Sequence, residues 1–287
     1  METKKRITFV VNPISGTHGK EFILRLIEKE LNHSIYDYSI RKTEYAGHAS
    51  EIAAHAAAEH TDIVVAIGGD GTINEIGRAL IHTNTAMGII PCGSGNGLAR
   101  HLHIPMEPKG AINVLNAGNI KTIDYGIIDN HPFFCTCGVG FDAFVSLKFA
   151  DSGKRGLLTY LENTLHESLT YQPETYEIEN STGTVRYKAF LIACANASQY
   201  GNNAYIAPQA SLTDGIADRN RRRASGLPVR VFRPLGEPEG PGRVRYGPVV
   251  LRVGEIAAFT CRRSHGCVRG VAGALRRMAH GKTPRRL

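Results

Sequence analysis

Residues 63–80 carry the sequence IVVAIGGDGTINEIGRAL, and this stretch decides the fold. Its apolar run at residues 63–67 is short enough for a buried strand rather than a long helix. The glycine-rich GGDG at residues 68–71 interrupts the run, and from residue 72 the apolar residues recur at helical spacing, which leaves Asn74 and Glu75 facing away. The stretch therefore predicts a strand, a glycine turn and a helix beginning near residue 72.

A glycine turn between a strand and a helix is typical of a phosphate-binding site. Glycine lets the backbone approach a ligand closely, and the unpaired N–H groups and the dipole of a helix start attract an anion. Asp70 stands out because a carboxylate repels phosphate unless a cation lies between them, which indicates bound Mg²⁺. From spacing alone, a tight turn with Asp70 as a capping residue remains the alternative.

Two further glycine-bearing loops follow predicted strands. The loop NPISGTHGK at residues 12–20 lies between a predicted strand at 6–11 and a predicted helix at 21–31. Its Ser15 and backbone N–H groups could bind phosphate with Lys20 as a counter-charge, although it lacks the Gly-Lys-Ser/Thr of a P-loop. By itself an ordinary strand–helix loop is the better interpretation. The loop PCGSGNGLAR at residues 91–100 follows a predicted strand at 86–90 and opens another helix.

The order of predicted secondary-structure elements changes near residue 120. Up to that point strands alternate with helices, including a strand at 34–40 and helices at 47–60 and 111–117, which predicts a parallel sheet covered on both faces. All three glycine-bearing loops then fall at the carboxyl edge of that sheet, where ligands bind. Later residues predict a mostly antiparallel second domain, with strands at 122–128, 132–139, 175–179, 184–195 and 204–207 and one helix at 157–169.

Composition places the chain among globular proteins. Of the 287 residues 42% are hydrophobic, and no apolar run nears the roughly 18 residues of a membrane span. The opening METKKRITFVVNP lacks the apolar stretch of a signal peptide, so we expect a cytoplasmic protein. The six cysteines form no Cys-x-x-Cys pair and are predicted to be free thiols, with Cys135 and Cys137 on one face of a strand. They are Cys92, Cys135, Cys137, Cys194, Cys261 and Cys267.

The net charge of +8 is concentrated at the carboxyl end. Residues 219–287 contain 17 Lys and Arg, 16 of them Arg, against 3 Glu, whereas residues 1–218 contain 17 Lys and Arg against 23 Asp and Glu. So abrupt a change suggests a shifted reading frame or a fused foreign segment. The alternatives are a poorly ordered basic tail, a membrane-associated basic helix at 267–280, or non-specific binding of nucleic acid. Strand-like apolar content remains at 228–233 and 244–253.

Several motifs occur in an order that resembles a known family. They are NPISG at 12–16, GGDGTINE at 68–75, PCGSGN at 91–96, IDYG at 123–126, CGVGFD at 137–142, and IAPQA at 206–210 before Asp214-Gly215. Together they resemble the diacylglycerol kinase catalytic domain, and more narrowly the soluble bacterial lipid kinases related to diacylglycerol, sphingosine and ceramide kinases. The resemblance covers residues 5–218 and ends where the composition changes.

The resemblance implies a fold, a reaction and a location. We expect an α/β chain with a Rossmann-like, nucleotide-binding domain at 1–120 and a β-sandwich-like acceptor domain at 121–218, followed by a divergent Arg-rich tail at 219–287. Enzymes of this family transfer the γ-phosphoryl group of ATP to a lipid hydroxyl. A lipid substrate implies peripheral association with the cytoplasmic face of a membrane and no specific nucleic acid, while the oligomeric state stays open.

The resemblance also assigns roles to individual residues. Asp70 would act with Mg²⁺ in catalysis, and Glu75 would orient the helix start and its loop. Asp214 matches a position that holds a structural Mg²⁺ in the family, with Asp218 as a second ligand; a turn between strands is the alternative for Asp214. The residues implied to bind nucleotide are Asn12, Ser15, Gly16, Thr43, Gly68, Gly69, Asp70, Gly71, Thr72, Glu75, Gly93 and Ser94.

One motif of the family is missing. Its members carry a downstream Asp-Gly-Glu whose glutamate is the proposed general base, but residues 219–287 contain only Glu237, Glu239 and Glu255, each in another context. Activity of this chain is therefore in question. Two other hypotheses stay open, an NAD-kinase relative that shares Gly-Gly-Asp-Gly and a nucleotide-binding protein without turnover. The continuation TINE at 72–75 and the loop GSGN at 93–96 favour the lipid kinases over the NAD kinases.

Overall fold

The first part of the chain alternates strands with helices, as predicted. The computed structural model describes residues 3–16, 19–128, 131–141, 143, 172–180, 183–214, 218–222, 250–255 and 261–263. Up to residue 117 the elements are β1 (Lys5–Val11), α1 (Lys20–Glu30), β2 (Tyr36–Lys42), α2 (His48–Ala58), β3 (Ile63–Gly68), α3 (Asp70–Leu80), β4 (Ala86–Pro91), α4 (Gly97–His101) and α5 (Pro108–Ala117).

A seven-stranded sheet forms the centre of the molecule. Its order is β2-β1-β3-β4-β12-β5-β6, where β5 is Ile120–Ile128, β6 is His131–Phe133 and β12 is Val250–Glu255. Strands β1 to β4 run parallel. Every residue of β3 and β4 is buried. Because successive side chains of a strand point to opposite faces, both faces of the sheet must be covered there. The predicted parallel α/β sheet is confirmed.

The second part of the chain consists mainly of antiparallel strands, which confirms the predicted fold class. Besides β5, β6 and β12 of the central sheet, its strands are β7 (Thr136–Gly140), β8 (Glu174–Asn180), β9 (Gly183–Ala189), β10 (Leu191–Ala195), β11 (Asp218–Arg222) and β13 (Cys261–Arg263). These six strands form two three-stranded sheets with the orders β11-β10-β7 and β13-β8-β9, and every pairing within them is antiparallel.

Several predicted boundaries are wrong because apolar content does not mark where a strand bends. The run at 132–139 breaks at Cys135, whose carbonyl accepts hydrogen bonds from the N–H groups of Asn196 and Ala197, both at 2.9 Å. The run at 184–195 breaks at Phe190, and the stretch 204–207 forms only an isolated bridge between Gln199 and Tyr205. The strand predicted at 34–40 lies two residues later in the chain, as β2 at Tyr36–Lys42. Helix α3 begins at Asp70, two residues before the predicted start.

Part of the Arg-rich segment lies within the central sheet. β12 runs parallel to β5 along six residue pairs and meets β4 at the pair Leu251 and Met87. A poorly ordered tail is therefore contradicted over the residues of β11, β12 and β13, and β12 overlaps the predicted strand at 244–253 in residues 250–253. The predicted strand at 228–233 and the predicted helices at 157–169 and 267–280 lie outside the described residues.

Four of the cysteines are free thiols, as predicted. Cys137 and Cys194 are buried, and Cys92 and Cys135 are half-buried. The expectation that Cys135 and Cys137 share one face of a strand is wrong, because Cys135 lies in the bend before β7.

None of the helices in the described part of the chain is long and apolar enough to cross a membrane.

Candidate active site

The three glycine-bearing loops meet at the carboxyl edge of the parallel strands. β1, β3 and β4 end side by side, and the backbones that follow them come into contact. A Cβ on Gly16 would lie 1.9 Å from the carbonyl oxygen of Cys92, and a Cβ on Gly93 would lie 2.6 Å from the Cα of Gly69. Only glycine permits such an approach, and Gly16 also has a φ of +69°. The predicted convergence of the loops is confirmed.

Asn12 organises the first loop and ties it to α3. Its side-chain N–H donates to the hydroxyl oxygen of Thr72 at 3.1 Å, and its side-chain oxygen accepts from the N–H of Ile14 at 3.1 Å. The hydroxyl of Ser15 donates to the carbonyl oxygen of Asn12 at 3.0 Å. Thr72 in turn packs against Gly68, where a Cβ would lie 2.5 Å from the threonine oxygen. Four of the predicted nucleotide-binding residues thus form one connected group.

Asp70 caps a helix, but not the helix that it begins. Its Oδ2 accepts from the N–H of Asn96 and its Oδ1 accepts from the N–H of Gly97, both at 2.8 Å, so the carboxylate closes the start of α4. Asp70 is exposed as a residue, but its carboxyl group lies among the backbone groups of the loops; this desolvation raises the pKa of Asp70, while N–H donors, those of Asn96 and Gly97 first, act in the opposite direction. The interpretation of Asp70 as a cap of its own helix is wrong.

Asn96 fixes the shape of the third loop, a role that the sequence analysis missed. It adopts a left-handed conformation with a φ of +54°, which asparagine tolerates better than most residues. Its side chain accepts from the N–H of Gly93 at 2.9 Å and donates to the carbonyl of Gly93 at 2.7 Å. Asparagine directly before a helix in a glycine-rich loop is the sequence feature that could have indicated this role. Ser94, between these groups, is exposed.

Lys20 places a buried positive charge beside the first and third loops. Only 9% of the residue is exposed, and its Nζ has no hydrogen-bond partner among the described residues. This nitrogen lies 3.6 Å from the position of a Cβ on Gly16. Burial raises the pKa of the Cys92 thiol, and Lys20 opposes that effect through its positive charge and its contact with the sulfur, which is only a weak acceptor for an ammonium group. A buried ammonium group is costly unless an anion pairs with it, so Lys20 is a candidate contact for an anionic ligand.

Three of the predicted residues have other surroundings. The Oε1 of Glu75 accepts from the N–H of Gly47 at 3.1 Å, and Gly47, with a φ of +92°, directly precedes α2. Thr43 is buried, and its N–H donates to the carbonyl of Val11 at 2.9 Å. The position of a Cβ on Gly71 has no atom within 4 Å. Glu75 therefore holds the loop after β2, and its implied role in orienting the start of α3 stays a prediction.

A loop of the second part of the chain braces the third glycine-bearing loop. The N–H of Asn202 donates to the carbonyl of Gly95 at 3.2 Å, and its side-chain N–H donates to the carbonyl of Ser94. The thiol of Cys135 donates to the carbonyl of Gln199 at 3.2 Å and lies 2.9 Å from the position of a Cβ on Gly97. The sequence analysis missed these contacts because they join residues far apart in the chain, 108 positions for Asn202 with Ser94 and 64 for Cys135 with Gln199.

The predicted metal ligands Asp214 and Asp218 lie in different elements. Asp214 is exposed in a bend, and Asp218 begins β11, where its backbone pairs with Ala195. Within the described ranges there is no group of three His, Cys, Asp or Glu residues placed to hold a metal ion. The assignment of a structural metal site to Asp214 and Asp218 stays a prediction.

Two family profiles match consecutive parts of the chain. The diacylglycerol kinase catalytic domain matches residues 6–128, and the YegS C-terminal NAD kinase beta sandwich-like domain matches residues 135–219. The second match ends at the change in composition. The first profile contains all three glycine-bearing loops, and the second contains the bracing loop.

Individual proteins agree with the profiles. A diacylglycerol kinase of Bacillus subtilis is 30% identical over 220 residues, which cover 75% of this chain and 72% of that protein. A probable YegS-like lipid kinase of Klebsiella pneumoniae is 27% identical over 239 residues, covering 82% and 80%. The crystal structure of a diacylglycerol kinase from Bacillus anthracis shares the fold, with a TM-score of 0.65 at 22% identity and coverage of 79% and 76%. The chain therefore belongs to the diacylglycerol kinase family of lipid kinases.

Proposed function

We propose that this protein transfers the γ-phosphoryl group of ATP to the hydroxyl group of a lipid. The observation that carries the proposal is the meeting of three glycine-bearing loops around a buried ammonium group, Lys20, that has no acceptor among the described residues. Polyphosphate supplies such an acceptor. Phosphoryl transfer depends mainly on positioning and on neutralising charge, which is what this edge of the sheet provides.

The nucleotide phosphates would lie against the backbone of the loops. Gly16, Gly69 and Gly93 leave no side chain between the backbone and a ligand, and the start of α3 presents N–H groups to an anion. Ser15 in the first loop and Ser94 in the third loop would provide hydroxyl groups to the phosphates. The other residues predicted to bind nucleotide would act by shaping this surface, Asn12 and Thr72 through their mutual hydrogen bond and Glu75 through the loop after β2.

Asp70 is suited to hold Mg²⁺ at the rim of the loops. Its oxygens accept N–H groups at the start of α4, and the carboxylate, with about four lone-pair sites, is a group that can also bind a cation. The raised pKa of Asp70 means that the two donors do not fully offset the cost of burying its charge. Asp70 would hold Mg²⁺, whose positive charge would stabilise the carboxylate and help to neutralise the charge of a phosphate ligand. Asp214 and Asp218 would form a separate structural site for Mg²⁺.

The acceptor is a lipid, by analogy with the relatives named as diacylglycerol and lipid kinases. Three large apolar side chains are exposed on neighbouring segments at the carboxyl edge of the sheet: Ile14 at 67%, Phe22 at 62% and Tyr45 at 54%. The ion pair between Lys42 and Glu21, at 3.7 Å, joins the end of β2 to the start of α1 within this region. These side chains would contact the cytoplasmic surface of a membrane, from which the lipid is taken.

The missing Asp-Gly-Glu supports a second candidate, a nucleotide-binding protein without turnover. General bases typically contribute about 10²–10⁴-fold to a rate, so a chain that lacks this glutamate would be slow unless another group replaces it. An NAD kinase activity is a third candidate, because the second profile is described as NAD kinase-like. An NAD kinase would form phosphorylated NAD, and a protein without turnover would form no product, so the product of the reaction separates both from a lipid kinase.

A transfer assay with labelled ATP separates the candidates. The protein is incubated with γ-labelled ATP, Mg²⁺ and mixed micelles that contain diacylglycerol, phosphatidylglycerol, sphingosine or ceramide, and in parallel with NAD. We expect labelled lipid from the wild-type protein and none from Asp70→Ala. The matched control is Asp37→Asn, an exposed carboxylate on β2 remote from the loops. Labelled NAD phosphate would replace the proposal with the NAD kinase.

Binding data decide the remaining outcome. Because Asp70 also closes α4, the Asp70→Ala protein must first be shown to be folded by circular dichroism. If the wild-type protein binds Mg-ATP and labels no acceptor, the protein without turnover is correct. If it binds no nucleotide while remaining folded, the proposed site itself is wrong.

A further inference from the structure

The outer edge of β2 carries main-chain groups that point away from the central sheet. β2 is the terminal strand of that sheet, and among the described residues it pairs only with β1. The carbonyl of Ile35 accepts a hydrogen bond from β1 and the N–H of Thr43 donates one to β1, both at 2.9 Å. Odd-numbered residues therefore bond to β1, because alternate residues of a strand direct both main-chain groups to the same side. The N–H and carbonyl groups of Tyr38 and Ile40 must then point outward.

The side chains of β2 are arranged symmetrically about Ser39. Asp37 and Arg41 are exposed and lie at equal distances from Ser39, one acidic and one basic. Neither forms an ion pair with another described residue. On the other face of the strand, Tyr38 and Ile40 also flank Ser39 and pack half-buried against the core. The strand is therefore complementary to a second copy of itself that runs in the opposite direction.

We infer that β2 pairs antiparallel with β2 of a second copy of this chain, with the two Ser39 residues opposite each other. Tyr38 then lies opposite Ile40 of the second copy, and each such pair exchanges two main-chain hydrogen bonds. Asp37 lies opposite Arg41 of the second copy, with Cβ atoms about 4.5–5.5 Å apart, where opposite charges attract. A shift by two residues would keep the main-chain bonds but would separate both charge pairs. The charges thus select one register.

Charged side chains on an edge strand usually prevent association, so their order in β2 decides what the edge can do. Protection requires that like charges meet or that a charge loses water without a partner. In β2 the two-fold axis at Ser39 brings each carboxylate opposite a guanidinium group, which is the stronger kind of ion pair. The same axis uses the β2 edge of both copies, so the assembly closes as a dimer and does not continue into a filament.

The pairing is independent of the proposed kinase function. Because paired strands run in opposite directions, the carboxyl edges of the two central sheets would lie at opposite ends of the joined sheet. The two sets of glycine-bearing loops would remain separate, and changes at Asp37 should leave phosphoryl transfer unaffected. A failed transfer assay would likewise leave a measurement of the dimer unchanged.

Charge reversal in the full-length protein tests the register by sedimentation velocity over a wide range of protein concentration. Arg41→Glu places two carboxylates opposite each other and Asp37→Arg places two guanidinium groups there, so each variant should dimerise roughly tenfold more weakly than the wild type. The double variant restores opposite charges and should dimerise as the wild type does. A mixture of the two single variants should form mixed dimers, because every acidic position then meets a basic one.

A matched control and the folded state of the variants make this result specific. Glu59→Arg reverses a charge directly after α2, at a side chain that is 60% exposed, and should leave the dimer unchanged. Circular dichroism shows whether each single variant is folded, and recovery in the double variant excludes misfolding as the cause of dissociation. A wild-type dimer that Arg41→Glu and Asp37→Arg leave unchanged would overturn the inference.

A disulfide cross-link locates the contact. In Ser39→Cys the two new thiols lie at a non-hydrogen-bonded pair with Cα atoms about 4.5 Å apart, a distance that a disulfide spans. In Lys42→Cys the two positions are about 20 Å apart along the strands. Mild oxidation should therefore link Ser39→Cys and not Lys42→Cys, with the wild-type protein as the control for the native cysteines. Equal linkage in the two variants, or a wild-type protein that stays monomeric at every concentration, would show that β2 does not pair in this way.

Discussion

Replacing Lys20 by methionine should have opposite effects on the free protein and on its complex with nucleotide. The ammonium group is buried and has no hydrogen-bond partner in the described part of the chain, so it opposes folding when no anion is present. Methionine keeps an unbranched apolar chain of similar length and removes the charge. We therefore expect the free variant to be more stable than the wild-type protein, and its complex with Mg-ATP to be weaker.

The magnitudes follow from the cost of an unsatisfied buried group. That cost is about 1–3 kcal/mol, so the free energy of unfolding of the free protein should rise by about that amount. For proteins of this size class, 1 kcal/mol corresponds to roughly 2–4 °C in melting temperature. Nucleotide at a hundred times its dissociation constant stabilises a protein by about 2.7 kcal/mol. A tenfold weaker complex at the same concentration would gain only about 1.4 kcal/mol.

Thermal unfolding followed by circular dichroism, with and without Mg-ATP, measures both effects. The matched control is Lys29→Met, whose exposed side chain should change neither the melting temperature nor the response to nucleotide. A Lys20→Met protein that is less stable without nucleotide would show that the ammonium group already has an acceptor in the free protein. A full response to Mg-ATP in this variant would show that Lys20 does not contact phosphate. Either result refutes the reasoning.

Four further changes test other parts of the structure. Gly93→Ala places a Cβ 2.6 Å from a neighbouring Cα and should weaken nucleotide binding at least roughly tenfold in calorimetric titration, whereas Gly19→Ala, with no atom within 4 Å, should not. The free energy of unfolding, measured in urea, should fall as the pH drops from 6.5 to about 4, because His101 takes up a proton in the unfolded chain before it does in the folded protein. The difference between the two pKa values corresponds to a loss of about 3 kcal/mol, and His101→Gln should make the free energy of unfolding depend less on pH over this range. Asn202→Ala should cost about 1 kcal/mol of unfolding free energy, measured in urea, by releasing the third loop. Arg252→Pro should lower the melting temperature if β12 pairs within the central sheet, and an unchanged value would contradict that pairing.

The central unit of the fold was predictable because its pattern is local. In residues 63–80 the apolar run, the glycines and the helical spacing follow one another, and each feature indicates its own element. Convergence of the loops could also be predicted, since parallel strands end at one edge of a sheet. The composition of the Arg-rich segment, by contrast, did not indicate β12 as a member of that sheet, because strand pairing depends on the neighbouring strands as well as on the sequence of the strand itself.

The parts of the site that were missed depend on contacts between distant positions. Asp70 was expected either beside a metal or as a cap in its own turn, but the amide groups that it binds belong to Asn96 and Gly97, and nothing in residues 68–75 identifies them. The brace from Asn202 similarly requires that two parts of the chain lie side by side. Sequence therefore indicated which residues gather at the edge of the sheet, whereas the partner of each side chain followed only from the structure.

Lys20 and Asp70 are complementary in a way that explains why both belong to one site. The ammonium group of Lys20 lies beside Gly16 and Cys92 and has no hydrogen-bond partner among the described residues. The carboxylate of Asp70 lies beside Asn96 and Gly97, and its raised pKa indicates a charge that its surroundings do not fully stabilise. The ion pairs found between described residues do not join the two, and the third glycine-bearing loop runs between them. A single ligand that carries both a phosphate chain and a divalent cation would satisfy the two groups together. Mg-ATP has that composition, whereas neither a neutral metabolite nor an anion without a metal would relieve both costs.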